Sequence, residues 1–238
     1  MCLVTVCVSA PLAHGQQHIR DTNAHSWWVY AGDHPLKGPW ALYEEVQVRR
    51  SDFASITQQF QSRNAITYTL NPNVRLTTGY VWTYSGRYGD FPAARSFGEH
   101  RVYQQIAIKQ SIPRLAMEHR YRVEQRFIQA FTPSGDDSFW RYQNRFRYQF
   151  RADTPLGRGQ KWYLFGGDEI LIGFGVNHGP SMFDQNRSFF GVGHSLTPRN
   201  KLEVGYLNQF LLQRNGIIDE SNHTFRVQFS SSVPLFRR

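Results

Sequence analysis

Hydrophobic and polar residues alternate along most of this chain with a period of two. In residues 115–127, LAMEHRYRVEQRF, one phase carries Leu115, Met117, His119, Tyr121, Val123, Gln125 and Phe127. The other carries Ala116, Glu118, Arg120, Arg122, Glu124 and Arg126. That period predicts a strand, because successive side chains leave a pleated backbone on opposite faces. On a helix the same charges would be spread around the cylinder and leave no apolar stripe to bury. Strands of soluble domains commonly run about 5 to 6 residues, whereas this one, at about 3.3 Å per residue, is long enough to cross a bilayer at a tilt.

The same alternation recurs in neighbouring segments. Trp140, Tyr142, Phe146, Tyr148 and Phe150 oppose Arg141, Gln143, Arg145, Arg147, Gln149 and Arg151. Val102, Ile106 and Ile108 oppose Glu99, Arg101, Tyr103, Gln105 and Lys109, and Val74, Leu76, Tyr80, Trp82 and Tyr84 oppose Arg75, Thr77, Gly79 and Thr83. Ten strands are predicted, over 39–50, 58–70, 73–84, 99–110, 114–128, 138–152, 160–172, 186–196, 201–213 and 222–234. Their connections alternate between short, proline-bearing turns and mostly longer segments rich in Gly, Ser, Asp and Asn. Short connections at one end and long ones at the other describe an all-β, up-and-down antiparallel transmembrane β-barrel of about ten strands, with twelve as the alternative count. Both termini then lie on the turn side. The Trp27-Trp28 segment would make an odd eleventh strand and is placed outside the barrel. The apolar phase faces lipid and the polar phase the lumen; the inverse arrangement would be a soluble, ligand-binding barrel.

Composition sharpens this picture. The segment MCLVTVCVSAPLAHG, with small residues at Ala13 and Gly15, reads as a signal peptide over residues 1–15, followed by an N-terminal periplasmic segment over 16–38 and a barrel over 39–238. Both cysteines, Cys2 and Cys7, fall in that leader, so the processed chain has no disulfide framework and no cysteine metal site. No run of about 18 apolar residues is present to form a helical span. Lys and Arg total 27 against 18 Asp and Glu, a net +9. Positive charge invites nucleic acid as a partner, but the arginines are spaced by two along strands and no recognition module accompanies them, so no nucleic acid is expected.

The candidate site is the lumen. The polar faces of the strands over 99–152 carry Arg101, Lys109, Arg120, Arg122, Arg126, Arg141, Arg145, Arg147 and Arg151 against Glu99, Glu118 and Glu124, nine cations to three acids. Glu169 and Arg187 join them from later strands. One role for this set is a cross-strand ion-pair network that holds a narrow barrel closed. The other is an anion path, for which a surplus of arginine is the expected device. No catalytic residue, metal site or cofactor is assigned. Asp168 and Glu169 are adjacent and so point to opposite faces of a strand. His100, His119, His194 and His223 share the lipid-facing phase. An enzyme acting on lipid or peptide would need His178, Asp184 or Glu169 to converge at a loop-side cleft.

Several phrases resemble the domain of unknown function 2490 family: GYVWTYS at 79–85, GEHRVYQQI at 98–106, MEHRYRVEQRF at 117–127, RYQNRFRYQFRADTPL at 141–156, DEILIGFG at 168–175, FDQNRSFFGVG at 183–193 and LEVGYLNQF at 202–210. The resemblance implies export and a barrel in the bacterial outer membrane, and it supplies no activity. The expected partners are outer-membrane lipid, the barrel-assembly machinery and a small anionic solute. The expected role is structural or a passive pore.

Overall fold

The computed structural model describes residues 19–135, 137–157, 159, 161–179, 181–213 and 216–235. The signal peptide expected over residues 1–15 lies outside the described residues. Eleven strands are described: β1 (Ile19–Pro35), β2 (Trp40–Ser51), β3 (Ile56–Asn71), β4 (Val74–Ser85), β5 (Phe97–Ile112), β6 (Leu115–Phe131), β7 (Ser138–Leu156), β8 (Trp162–Phe174), β9 (Phe183–Thr197), β10 (Asn200–Leu212) and β11 (Ile218–Ser231). They close into one barrel in which each strand pairs with its neighbours in sequence and β1 pairs with β11.

All ten expected strands are present, with ends displaced by a few residues. The largest displacements are at the end of β7, whose ladder runs on through Pro155, opposite Tyr163, to Leu156, and at the start of β11, which begins at Ile218. The segment expected outside the barrel is instead its first stave, paired with β2 on one edge and β11 on the other. Antiparallel alternation around an odd ring leaves one like-directed pair, and β1 and β11 accordingly run parallel across Ile19↔Ile218 to Gly32↔Ser231. The described chain therefore starts on the loop side and finishes on the turn side, where the ten-strand count had put both ends on the turn side.

Polar side chains line the interior. Glu99, Arg101, Arg122, Glu124, Arg145, Arg147 and Glu169 are buried, whereas Tyr80, Trp82, Val102, Ile106, Trp140 and Val192 are exposed on the outer face. This is the membrane arrangement and not the inverse one of a soluble barrel. Aromatic residues collect at two heights outside. Trp40 packs on Tyr68 near the turns, at the level of Leu76 in β4. Trp82 lies six residues further along that strand, about 20 Å at the usual rise, with Trp140 nearby against His100. Two aromatic girdles around an apolar band are what the two lipid interfaces select.

Candidate functional site

The charged wall of the lumen is built by β5 to β9. Glu99 accepts from Arg101 at 2.6 Å and from Arg126 at 2.5 Å. Asp184 lies 3.8 Å from Arg126 and accepts from Arg145 at 2.9 Å. Arg145 also donates to Glu124 at 2.5 Å, and Arg147 joins Glu124, at 2.8 Å, to Glu169, at 2.7 Å. Arg120 and Arg187 complete Glu169 at 2.9 and 3.2 Å, and Arg122 stands 3.6 Å from Glu124 while donating to Gln105. A continuous chain of ion pairs thus runs from Glu99 to Glu169. It joins four carboxylates to seven guanidiniums, a surplus of three positive charges. Each carboxylate is shared by at least two arginines, which is how charges taken out of water remain satisfied.

Asp184 reaches this chain because of a bulge. The β8–β9 register passes from Leu171↔Gln185 to Ile172↔Phe183, so Asp184 is the extra residue and its side chain is turned inward beside Gln185. Gln58 is re-aimed in the same way, where the β2–β3 register steps from Arg49↔Gln59 to Arg50↔Thr57.

The remaining predicted members sit apart. Glu118 is half-buried, 3.8 Å from Lys109 at the turn-side rim. Arg151 is held by Glu203 at 2.6 Å and Asp153 at 2.8 Å. Arg141 stands opposite Ile128 toward the loops. Sequence reading passed over Glu45 and Arg63, which pair at 2.7 Å, although the alternation of Tyr43, Glu45, Gln47 and Arg49 against Leu42, Val46 and Val48 carried the signal.

The adjoining part of the wall, from β8 through β10 to β1, is aromatic. Trp27, Tyr163, Phe165, Phe189 and Leu207 form a buried cluster. Its rings lie over glycines of the adjacent strand: Tyr163 opposite Gly193, Phe165 opposite Gly191, and Phe189 opposite Gly167. A Cβ on Gly193 would come 2.1 Å from the Tyr163 ring, so a side chain there would displace the aromatic from the lumen. Gly79 and Gly205, each followed by an outward tyrosine in the matching stretches 76–80 (LTTGY) and 202–206 (LEVGY), do the same for Tyr103 and Phe165. The outward tyrosines beside them, Tyr80 and Tyr206, hydrogen-bond His100 and His223 respectively. Outward-facing His119 is likewise bonded to the Tyr148 hydroxyl at 2.9 Å, and His194 packs on Trp162.

Between the walls lies a cavity of about 530 Å³, lined by ten arginines and five glutamates and extending from Tyr88 and Phe91 at the loop-side mouth to Glu118, Arg226 and Gln228 toward the turns. The connection over 86–96 folds into the mouth. The Tyr88 hydroxyl donates to Glu220 at 3.1 Å and its ring meets His25 edge-on, while Gln213 donates to the Phe91 carbonyl at 3.2 Å. Burial and the Glu220 carboxylate push the Tyr88 phenol above its ordinary pKa, which keeps it a donor. Gly89, at φ +73°, lets the backbone come so close that a Cβ would lie 3.0 Å from the Asp21 carboxylate.

Among the described residues no hydrogen bond or ion pair joins His178, Asp184 and Glu169. Asp184 and Glu169 are engaged by arginines, Asp168 bonds Asn186 and Ser188 on the outer face, and His178 hydrogen-bonds the Ser181 carbonyl, at 3.4 Å. Among the described residues no three His, Cys, Asp or Glu side chains are grouped to hold a metal.

No curated protein matches this chain. Among solved structures the NanC porin, in a rhombohedral crystal form, is similar in fold, with a TM-score of 0.55 and 12% identity over 88% of this chain and 98% of that one. The profile described as "Protein of unknown function (DUF2490)" matches residues 24–222, from within β1 to within β11. With every stave of the barrel represented in that match, this chain belongs to the DUF2490 family of proteins of unknown function.

Proposed function

We propose that this protein is a bacterial outer-membrane barrel whose lumen admits small anions and disfavours cations. The observation that carries the reading is the cavity lining, ten arginines to five glutamates along a path from the loop-side mouth toward the turns. Surplus fixed charge in a narrow, low-dielectric passage raises the local concentration of the opposite ion. The apolar outer face between aromatic girdles supports a lipid setting, and the structure similar in fold is that of a porin. The longer connections then face outward, the short turns face the periplasm, and the barrel-assembly machinery inserts the exported chain. The ion-pair chain from Glu99 to Glu169 serves as the brace of the wall. Reversal potentials of the purified barrel in planar bilayers under a KCl gradient test this reading. A potential of the anion-selective sign is expected; a silent or cation-selective barrel overturns it.

A further inference from the structure

We infer that Arg49 and Arg187, flanking the indole of Trp27 below the loop-side mouth, form a discrete binding site for a small oxyanion, a carboxylate or phosphate group; this deepens the anion-passage reading and rests on it.

The site starts from an electrostatic mismatch. Arg49 is 7% exposed. Its Nε and Nη2 both donate to Gln47 Oε1, at 3.0 and 2.7 Å, and its guanidinium lies 3.9 Å over the Trp27 ring. Among the described residues no carboxylate comes within 4.0 Å of it; the like charges of Arg187, Arg101 and Arg147 act upon it, and Glu45, beyond Gln47, offsets them only from a distance. Arg187 approaches the same indole, at 5.6 Å. Two of its nitrogens are spent on Glu169 and Gln185, and its Nε is buried with no hydrogen-bond partner. A cation withdrawn from water costs several kcal/mol unless an opposite charge attends it. Every guanidinium of the chain from Glu99 to Glu169 meets a carboxylate; Arg49, on β2, has a glutamine and a ring, and among the cavity-lining arginines Arg226 is likewise bonded to a glutamine, Gln228, but without a ring beneath it.

The missing counter-charge must be mobile. Among the described residues Nη1 of Arg49 has no hydrogen-bond partner and the residue borders the cavity, so a free donor edge faces the path an anion would take. The planar donor fork suits an oxygen pair better than a single halide. Trp27 is fixed for this task, since its Nε1 donates to Gln58 at 3.1 Å and Gln58 in turn meets His25 at 3.1 Å. Phe189 and Leu207 close the apolar side of the site, leaving room for a compact ligand.

Calorimetric titration of the folded, detergent-purified barrel with inorganic phosphate and with acetate at low salt tests the site without requiring conduction. Saturable binding of at least one probe is expected, weakened about tenfold or more in Arg49→Gln and in Arg187→Gln. Arg49→Lys keeps the charge without the fork and should fall between. Lys109→Gln, which removes a charge at the turn-side rim, should bind as the parent does. Trp27 is the one buried tryptophan of six, and its fluorescence, isolated by comparison with Trp27→Phe, gives a second readout should Arg49→Gln fail to fold. Absence of saturable binding, or binding unchanged in Arg49→Gln or in the folded Arg49→Lys barrel, overturns the site. A barrel that binds but carries no current retains the site and overturns the passage; one that conducts without saturable binding does the reverse.

Discussion

Arg145 and Arg49 are both buried arginines of the same lumen, and their surroundings differ in kind. Arg145 lies between Glu124 and Asp184 in an unbroken chain of opposite charges. Arg49 lies on a tryptophan, anchored by a neutral amide. The first arrangement spends its charge on the protein, so its worth is mechanical. The second leaves charge over for something that passes. A narrow barrel can thus be braced and selective at once.

The contrast is broken most directly at Glu124, which has no solvent exposure and serves Arg145, Arg147 and Arg122. Glu124→Gln strands buried cations and should destabilise the barrel by about 3–5 kcal/mol. The midpoint of urea unfolding, followed by heat-modifiable migration, measures this. A loss below about 1 kcal/mol would mean that water, not the carboxylate, satisfies those arginines.

Arg49→Gln should do the opposite. Stability against urea is expected to hold or rise, because no ion pair is lost and an unpaired buried charge is removed, while anion-over-cation permeability falls several-fold, an effect of about 1 kcal/mol on the barrier. Reversal potentials of the two variants side by side decide whether brace and selectivity are separable. A smaller effect is expected at the mouth. Tyr88→Phe removes one hydrogen bond of about 1 kcal/mol and should speed proteolysis within 86–96. Because the Tyr88 phenol is raised in the folded protein, its anchoring is complete below about pH 10, where an unfolded tyrosine ionises, and is lost as pH climbs through the raised value. Protection of the loop against pH reads this directly. The least effect belongs to the rim: Arg75 pairs with Asp33 at 2.7 Å in partial contact with water, and Arg75→Ala should cost about 1 kcal/mol or less.

Much of this was legible in the sequence where the two faces of a strand differ in chemistry. In β6 charge alternates with apolar side chains, and both the strand and its inward face follow from spacing alone. In β1 the signal fails, because Trp27 and Val29 point inward while Trp28 and Tyr30 point outward, and apolar residues on both faces erase the contrast. With no alternation to argue for it, the even strand count usual for such barrels decides against the stave, and with it goes the tryptophan under Arg49. Bulges are a second blind spot. Asp184 sits on the outward phase by count, and only the extra residue in β9 turns it inward. Which acid meets which arginine was also beyond reach, since register decides it: Glu99 could be placed near Arg101 and Arg126, but the link from Arg120 to Glu169 spans two strands.

The parallel seam between β1 and β11 gives the barrel a mechanical grain. Every other junction joins strands that run in opposite senses, so a pull on consecutive strand ends peels their hydrogen bonds apart one after another. At the seam, Ile19 and Ser231 lie at opposite ends of two like-directed strands with fourteen residue pairs between them. A pull on these two points loads all those bonds together, in shear. The line where the ring is sewn shut is thus the one that a stretched chain would tear last.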